Sequence, residues 1–311
     1  MKPRRLFSVV FLAGCLCAQQ GEKPACDVPL VVMAYSPPAR SNEMVKTLGP
    51  SDLEMQLGTE WHDVPNAAID DGPKRVVVII DDSAPTRADE LKMEIELAGS
   101  FVEHGRHGDT FALLRMASPG APGPFEPAKK IQRRLKKLKP SPAAANSGAA
   151  YDSLVAAAKL LTPSKFGDTI FLFGRADDSG SAAARDQVRE LLLRSGTRFC
   201  GLSLAASATR EALDLSRESG CVFQFTSLAV LAMPARQTAH GQIPPQMTLR
   251  LGELANLLAQ IAAPYRVKIP ASLIAAPTEL KFDVPTADER KIDIRDEYYP
   301  HVVYPCSAPL P

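Results

Sequence analysis

The sequence has no C-x-x-C pair, which argues against a zinc ribbon or a thioredoxin-type redox site. It also lacks a P-loop, a G-x-G-x-x-G and an H-E-x-x-H, the usual signatures of nucleotide and zinc-hydrolase chemistry. Gly201-Leu202-Ser203-Leu204-Ala205 is missing the second glycine of a nucleophile elbow, so a hydrolase reading fails there. A charge excess is absent too. The formal net charge is +1, and no global field draws the chain to nucleic acid or to a membrane. His104 and His107 form an H-x-x-H without a third ligand, and Gly105 and Gly108 mark a helix stop, so this segment reads as a surface turn. Trp61 is the single tryptophan and is expected to pack inside an N-terminal β segment. No internal repeat is visible.

What remains is ordinary globular composition, with 45% hydrophobic and 23% charged residues. A chain of 311 residues accommodates one large domain with appendages, or two domains. Its 27 prolines concentrate in connections and stiffen them.

Lys2, Arg4 and Arg5 precede a short apolar run, Leu6 to Gly14, too short for a permanent transmembrane helix. Residues 1–18 therefore read as an export signal, and no later apolar run is long enough to span a bilayer. Leu12-Ala13-Gly14-Cys15 resembles a lipobox, in which Cys15 is lipidated. The alternative is ordinary cleavage after Ala18, giving a soluble secreted chain. Export makes disulfides possible. Cys26, Cys200, Cys221 and Cys306 form an even set with three possible connectivities.

Residues 19–72 carry short β-like runs, Val28 to Ala34 and Asp52 to Leu57, broken by Pro37-Pro38 and Gly49-Pro50. The pattern changes at Pro73. Arg75 to Ile80 is a continuous β-branched run of the kind that marks a strand buried on both faces. Further strands are expected at Thr110–Met116, Asp168–Phe173, Arg198–Leu204 and Val222–Phe225. Helices are expected at Thr86–Glu103, Phe125–Lys139, Ala149–Leu161, Ser181–Arg194 and Thr209–Ser219. This alternation predicts an α/β fold, a doubly wound mostly parallel sheet, with ligands gathered just after Ile80, Phe173 and Leu204. Residues 233–311 hold a linker, a helix over Leu249–Ala262 and β runs at Tyr265–Ile269, Glu279–Val284 and Lys291–Ile294. These β runs are expected to join residues 19–72 in a small β domain.

Val76-Val-Val-Ile-Ile-Asp81-Asp82-Ser83 resembles the first strand and loop of von Willebrand factor type A domains. Ala149-Ala-Tyr-Asp-Ser-Leu154 resembles the helix start that follows the metal-site threonine in that family. Ile170-Phe-Leu-Phe-Gly174, followed by Asp177-Asp178-Ser-Gly-Ser181, resembles its fourth strand and loop. Tyr265, Arg295 and Tyr298 match the tail of the "VWFA-related" domain described from acidobacteria. The resemblance assigns residues 73–232 to the type A-like domain and implies a role in protein recognition rather than catalysis. The expected partner is a protein in the envelope or outside the cell.

The same resemblance implies a Mg²⁺ or Mn²⁺ site built from hard oxygen donors. Asp81 and Ser83 remain as candidate ligands. The second serine position is Pro85, the threonine position is Gly148, and the third aspartate position is Arg175, a permanent cation. The expectation is therefore a degenerate site and no cofactor. Ser147, Asp177 or Asp178 would restore Mg²⁺ or Mn²⁺ binding if the register shifts. Arg175 is expected either to pair with Asp81 or Asp82 or to point to solvent. The expected contact rim is Asp81, Asp82, Ser83, Arg175 and Asp177.

Two other features stand apart. Lys129 to Lys139 is a dense basic run with Ile131, Leu135 and Leu138 on one face. It reads as a solvated face, or as a surface for anionic lipid or an acidic partner. Cys200 and Cys221 fall in adjacent expected strands, as a disulfide or as two buried thiols. A Cys26–Cys306 bond would staple the two β segments and, in the entropic account, restrict the unfolded chain by about 4 to 5 kcal/mol.

Overall fold

The computed structural model describes residues 25–36, 41–44, 52–64, 67–83, 88–117, 123–139, 148–204, 209–225, 258, 262–283 and 293–306. The expected export signal, Cys15, Pro85, Ser147, the expected linker and all but residues 258 and 262 of the expected last helix lie outside these residues.

The centre of the molecule is a sheet of strands β6 (Arg75–Ile80), β7 (Thr110–Arg115), β8 (Glu126–Pro127), β9 (Thr169–Phe173), β10 (Arg198–Ser203) and β11 (Phe223–Phe225). Their order is β11-β10-β9-β6-β7-β8. All neighbours pair in parallel except β8, which runs antiparallel to β7. Helices α1 (Ala88–Glu103), α2 (Ala128–Leu135), α3 (Ala150–Leu160), α4 (Arg185–Ser195) and α5 (Arg210–Glu218) fill the crossovers. This is the α/β architecture expected from the alternation.

The β-branched run of β6 is continuous because both faces are covered. Val76, Val78 and Ile80 pack with Leu91, Leu97 and Phe101 of α1 and with Ile131 and Leu135 of α2. Val77 and Ile79 face Leu154 of α3, Val188 and Leu192 of α4, and Leu215 of α5. Phe101 lies against Phe171 with ring centroids 4.5 Å apart, and Phe171 stacks on Phe173 at 4.9 Å. That aromatic cluster fixes α1 over the carboxyl half of the sheet.

The terminal segments build two antiparallel sheets. β1 (Ala25–Ser36) pairs with β12 (Tyr265–Pro270) through its first half and with β14 (Asp293–Tyr298) through its second. β2 (Ser41–Met44) also lies on β1, and β5 (Ala67–Ile69) lies on β12. The second sheet has the order β15-β13-β3-β4, from Val302–Val303, Thr278–Asp283, Glu54–Leu57 and Glu60–Asp63. Alternation is clean here: Tyr265, Val267 and Ile269 point inward, as do Leu280 and Phe282. Their core is continuous with the α1 face of the central sheet.

Three local expectations change. The basic helix is α2 alone, because Glu126 and Pro127 pair with β7 and Pro127 stands at the helix N-cap. The fourth helix starts at Arg185, because residues 181–183 are engaged by Asp178 and Asp152. Trp61 does not pack inside: it sits on edge strand β4 and is 53% exposed. Among the described residues β4 pairs only with β3, and the strand is exposed along most of its length.

Both cysteine pairs are bonded. Cys26 and Cys306 join β1 to the segment after β15 with Cα atoms 5.4 Å apart, and Cys200 and Cys221 join β10 to the approach to β11 at 5.2 Å. No described helix is long and apolar enough to cross a membrane. Replacing Cys26 and Cys306 together by serine is expected to lower unfolding free energy by about 5 kcal/mol in denaturant titration. Peptide mapping without reductant is expected to join Cys26 to Cys306 and Cys200 to Cys221.

Candidate functional site

The strand order reverses direction at β6, with β7 on one side and β9 on the other. Ligands in open α/β sheets gather at such a point, beyond the carboxyl ends of the strands. Three loops meet there: Asp81–Ser83 after β6, Gly148–Ala149 before α3, and Gly174–Ser181 after β9. The sheet extends into the first of them, with Asp81 N–H donating to the Phe173 carbonyl at 2.8 Å.

Asp81 is wholly buried. Its Oδ1 accepts from the Ser83 amide at 3.1 Å and from Ser83 Oγ at 2.5 Å, and its Oδ2 accepts from the Arg175 amide at 3.0 Å. Burial nevertheless pushes its carboxyl up, against these hydrogen bonds. Asp82 is also buried and turns the other way. Its Oδ1 accepts from the Ala117 amide at 2.9 Å, and its Oδ2 binds Arg115 through Nε at 2.6 Å and through Nη2. Arg115 Nη2 also donates to the Lys139 carbonyl at 2.9 Å, tying the end of the basic segment to the rim.

Arg175 does not pair with Asp81 or Asp82, and it does not point freely to solvent. Its Nη2 donates to both carboxylate oxygens of Glu90 on α1, at 3.2 and 3.0 Å. Only its backbone reaches Asp81, because β9 carries residue 175 past the aspartate while its side chain leans toward α1. Behind it lies Glu94, one turn further along α1 and 1% exposed. Glu94 Oε2 and Arg175 Nε are buried and have no hydrogen-bond partner among the described residues. Burial drives the Glu94 carboxyl well above the usual range, and the Asp81 and Glu90 carboxylates push it the same way, against Arg175.

Gly148 is backed onto the third loop. A Cβ there would stand 2.1 Å from the Asp177 carbonyl oxygen, so no side chain fits in this arrangement. The Gly148 carbonyl accepts from the Ser179 and Gly180 amides at 3.0 Å each. Gly174 is held as tightly: its φ is 141°, and a Cβ there would stand 2.0 Å from Asp81 Cβ, so both demand glycine. Asp178 Oδ1 accepts from the Tyr151 amide at 3.2 Å and from Ser181 Oγ. It caps α3, whose own N-cap, Ala149, has no side-chain oxygen.

Of the expected rim residues, Arg175 and Asp177 are half-buried, while Asp81, Asp82 and Ser83 are buried beneath them. These three support the rim rather than form its surface. Glu90, Glu94 and Arg115 were not singled out in the sequence. A signal existed for two of them: Glu90 and Glu94 share the inward stripe of α1 with Leu97, Ala98 and Phe101. His104 closes α1 with Nδ1 2.8 Å from the Ser100 carbonyl oxygen, as a helix-end turn.

The oxygen donors suit Mg²⁺ or Mn²⁺ poorly. Both Asp81 oxygens already accept hydrogen bonds, Gly148 offers no hydroxyl, and a guanidinium stands at residue 175. No cluster of three or more His, Cys, Asp or Glu able to hold a metal occurs among the described residues.

No known family profile matches the chain, and no curated protein matches it. Among solved structures it is similar to a von Willebrand factor type A protein from Catenulispora acidiphila, at 10% identity and a TM-score of 0.47, over 78% of this chain and 51% of that one. It is also similar to an aerotolerance-related membrane protein from Bacteroides fragilis, at 13% identity and a TM-score of 0.43, over 61% and 98%. A third likeness is to the conserved hypothetical protein BatB from Bacteroides thetaiotaomicron, at 12% identity and a TM-score of 0.43, over 61% and 99%. Likeness at this level says nothing of activity, and the architecture rests on the strand order itself.

Glu94 gives the site a pH signature. Its folded-state pKa lies above the unfolded value, so its contribution favours the fold below about pH 4.5 and is lost as pH rises through the folded value. Glu94→Gln is expected to raise the melting temperature at neutral pH by a few degrees and to flatten the decline in stability above that range. Thermal unfolding across pH, followed by circular dichroism, checks both.

Proposed function

We propose that the chain is an exported, non-catalytic protein-interaction module of the von Willebrand type A kind, in which a protein cation holds the strand-end loops where that family uses a divalent metal. One observation carries the reading: Arg175 stands in the third-aspartate position, its amide on Asp81 and its guanidinium on Glu90. A cation is thereby already seated beside the acidic groups of the rim. Gly148, pressed against the Asp177 carbonyl, supports the same reading. The contact surface is the half-buried pair Arg175 and Asp177, carried on a foundation of Asp81, Asp82 and Ser83. The two disulfides support an oxidising compartment, and Cys15 supplies a lipid anchor at the envelope.

A rival reading keeps Mg²⁺ or Mn²⁺ through Asp177 or Asp178. Asp178 is committed to the α3 N-terminus and to Ser181, which counts against it. Titration calorimetry separates the two. The native chain is expected to bind neither ion, whereas Arg175→Asp is expected to acquire measurable Mn²⁺ affinity. Native affinity in the micromolar range overturns the proposal. In pull-downs from envelope extract, a captured partner is expected to persist in EDTA and to be lost with Asp177→Lys. Capture that needs Mg²⁺ sinks the metal-free reading.

A further inference from the structure

The strongest concentration of charge lies on α2 and the segment after it, whose end Arg115 ties to the rim. Between Lys129 and Lys139 the chain carries Lys129, Lys130, Arg133, Arg134, Lys136, Lys137 and Lys139, with no acidic residue among them. Two of these cations are answered: Glu126 lies 3.7 Å from Lys130 and 3.2 Å from Arg134. Lys129, Arg133, Lys136, Lys137 and Lys139 are exposed and have no ion-pair partner among the described residues.

This segment is held firmly. Ile131 and Leu135 are buried against α1 and the sheet, Gln132 Nε2 donates to the Gly99 carbonyl at 3.3 Å, and Arg115 grips the Lys139 carbonyl at 2.9 Å. The exposed cations are therefore carried on a segment packed against α1 and tied to β7. A chain of net charge +1 thus concentrates positive charge on one face.

We infer that this face docks on an anionic phospholipid surface. The chemistry favours lipid over an acidic protein. Most of the unanswered cations are lysines, which attract as hydrated point charges and lack the planar fork that recognises individual carboxylates. Seven cations within eleven residues, on α2 and the turn that follows it, match the pattern that diffuse headgroup charge attracts. The sequence also supplies a partner signal. A basic patch beside a lipid anchor adds an electrostatic contribution to membrane attachment. A lipid at Cys15 and the α2 face would be those two signals. The inference does not depend on the reading of the metal-free rim.

Vesicle co-sedimentation tests it, using the chain from Gln19 onward, so that neither the expected export signal nor an acyl group at Cys15 contributes. The chain is expected to bind phosphatidylcholine vesicles containing phosphatidylglycerol, to ignore pure phosphatidylcholine, and to dissociate as salt is raised. Each cation near an anionic surface strengthens binding roughly fivefold. Replacing Lys129, Arg133, Lys136, Lys137 and Lys139 together by glutamine is therefore expected to weaken it at least about a hundredfold. All are exposed, so circular dichroism and melting temperature should not change. A control with Lys159→Gln and Arg210→Gln, on α3 and α5, is expected to bind as the parent does. Three results overturn the inference: undiminished binding by the combined variant, equal binding to neutral vesicles, or binding to soluble polyglutamate without binding to anionic vesicles.

Discussion

Asp81 sets the terms for everything around it. It stands at the end of the central strand, fully buried, with both oxygens committed. A carboxylate in such a place must find donors or give up its charge. It draws Ser83 back into a tight turn and holds the backbone of residue 175 from the neighbouring strand. The Arg175 side chain is thereby delivered to the N-terminal turn of α1, where Glu90 receives it. Buried Glu94 then lies within the field of three charged groups. Conflicting charges gathered at the end of a well-packed sheet are costly. Such costs are usually found where a surface has been shaped for a task.

The opposite end of the sheet solves a different problem. There the α/β core must be joined to the β sheets made by the two chain ends. Asp70 lies in an ion pair with Lys74 and 3.3 Å from Arg266, which also holds Asp27 at 2.6 Å and covers the Phe166 ring at 4.2 Å. Lys74 is only 3% exposed, and burial together with the nearby arginines lowers its pKa to about 8. Arg75 grips Asp168 and the carbonyls of Leu161 and Pro163. A junction of long cations threaded between carboxylates is specific in geometry even where its net stabilisation is small. The Cys26–Cys306 bond closes the same region covalently.

The fold was legible because its signals are redundant. The β6 run and the helix periodicities between strands point to one arrangement, and the clean alternation of β12 marks the strand that pairs with the first half of β1. The rim was legible in part. That residue 175 would lie beside Asp81 follows from adjacent parallel strands. The direction of its side chain does not, because that depends on which acidic group of α1 lies within reach. Glu90 and Glu94 were hidden by an ordinary habit of reading: carboxylates on a helix are assigned to solvent. Their place on the inward stripe with Leu97 and Phe101 contradicted that assignment. Trp61 erred the other way, since an aromatic on an edge strand has one face that nothing covers. Residue type alone misled in both cases, and position relative to the burial pattern decides.

A rim held by a guanidinium differs thermodynamically from one held by a divalent ion. Metal occupancy rises and falls with ion concentration, so a metal-held rim is a switch whose bias is RT ln(1 + [L]/Kd). An arginine is covalently part of the chain and carries its charge throughout the physiological pH range. Such a rim is set once, on folding. It also lacks the open coordination position through which a metal takes a partner's carboxylate. On the proposed metal-free reading, recognition would come from shape and from fixed charge, here the Arg175 guanidinium held on Glu90 and the half-buried carboxylate of Asp177. Surfaces of that kind steer and orient a partner more than they hold it. Tight holding would have to come from attachment elsewhere, and on the membrane-docking inference the cations of α2 and the segment after it would be the second surface to supply it.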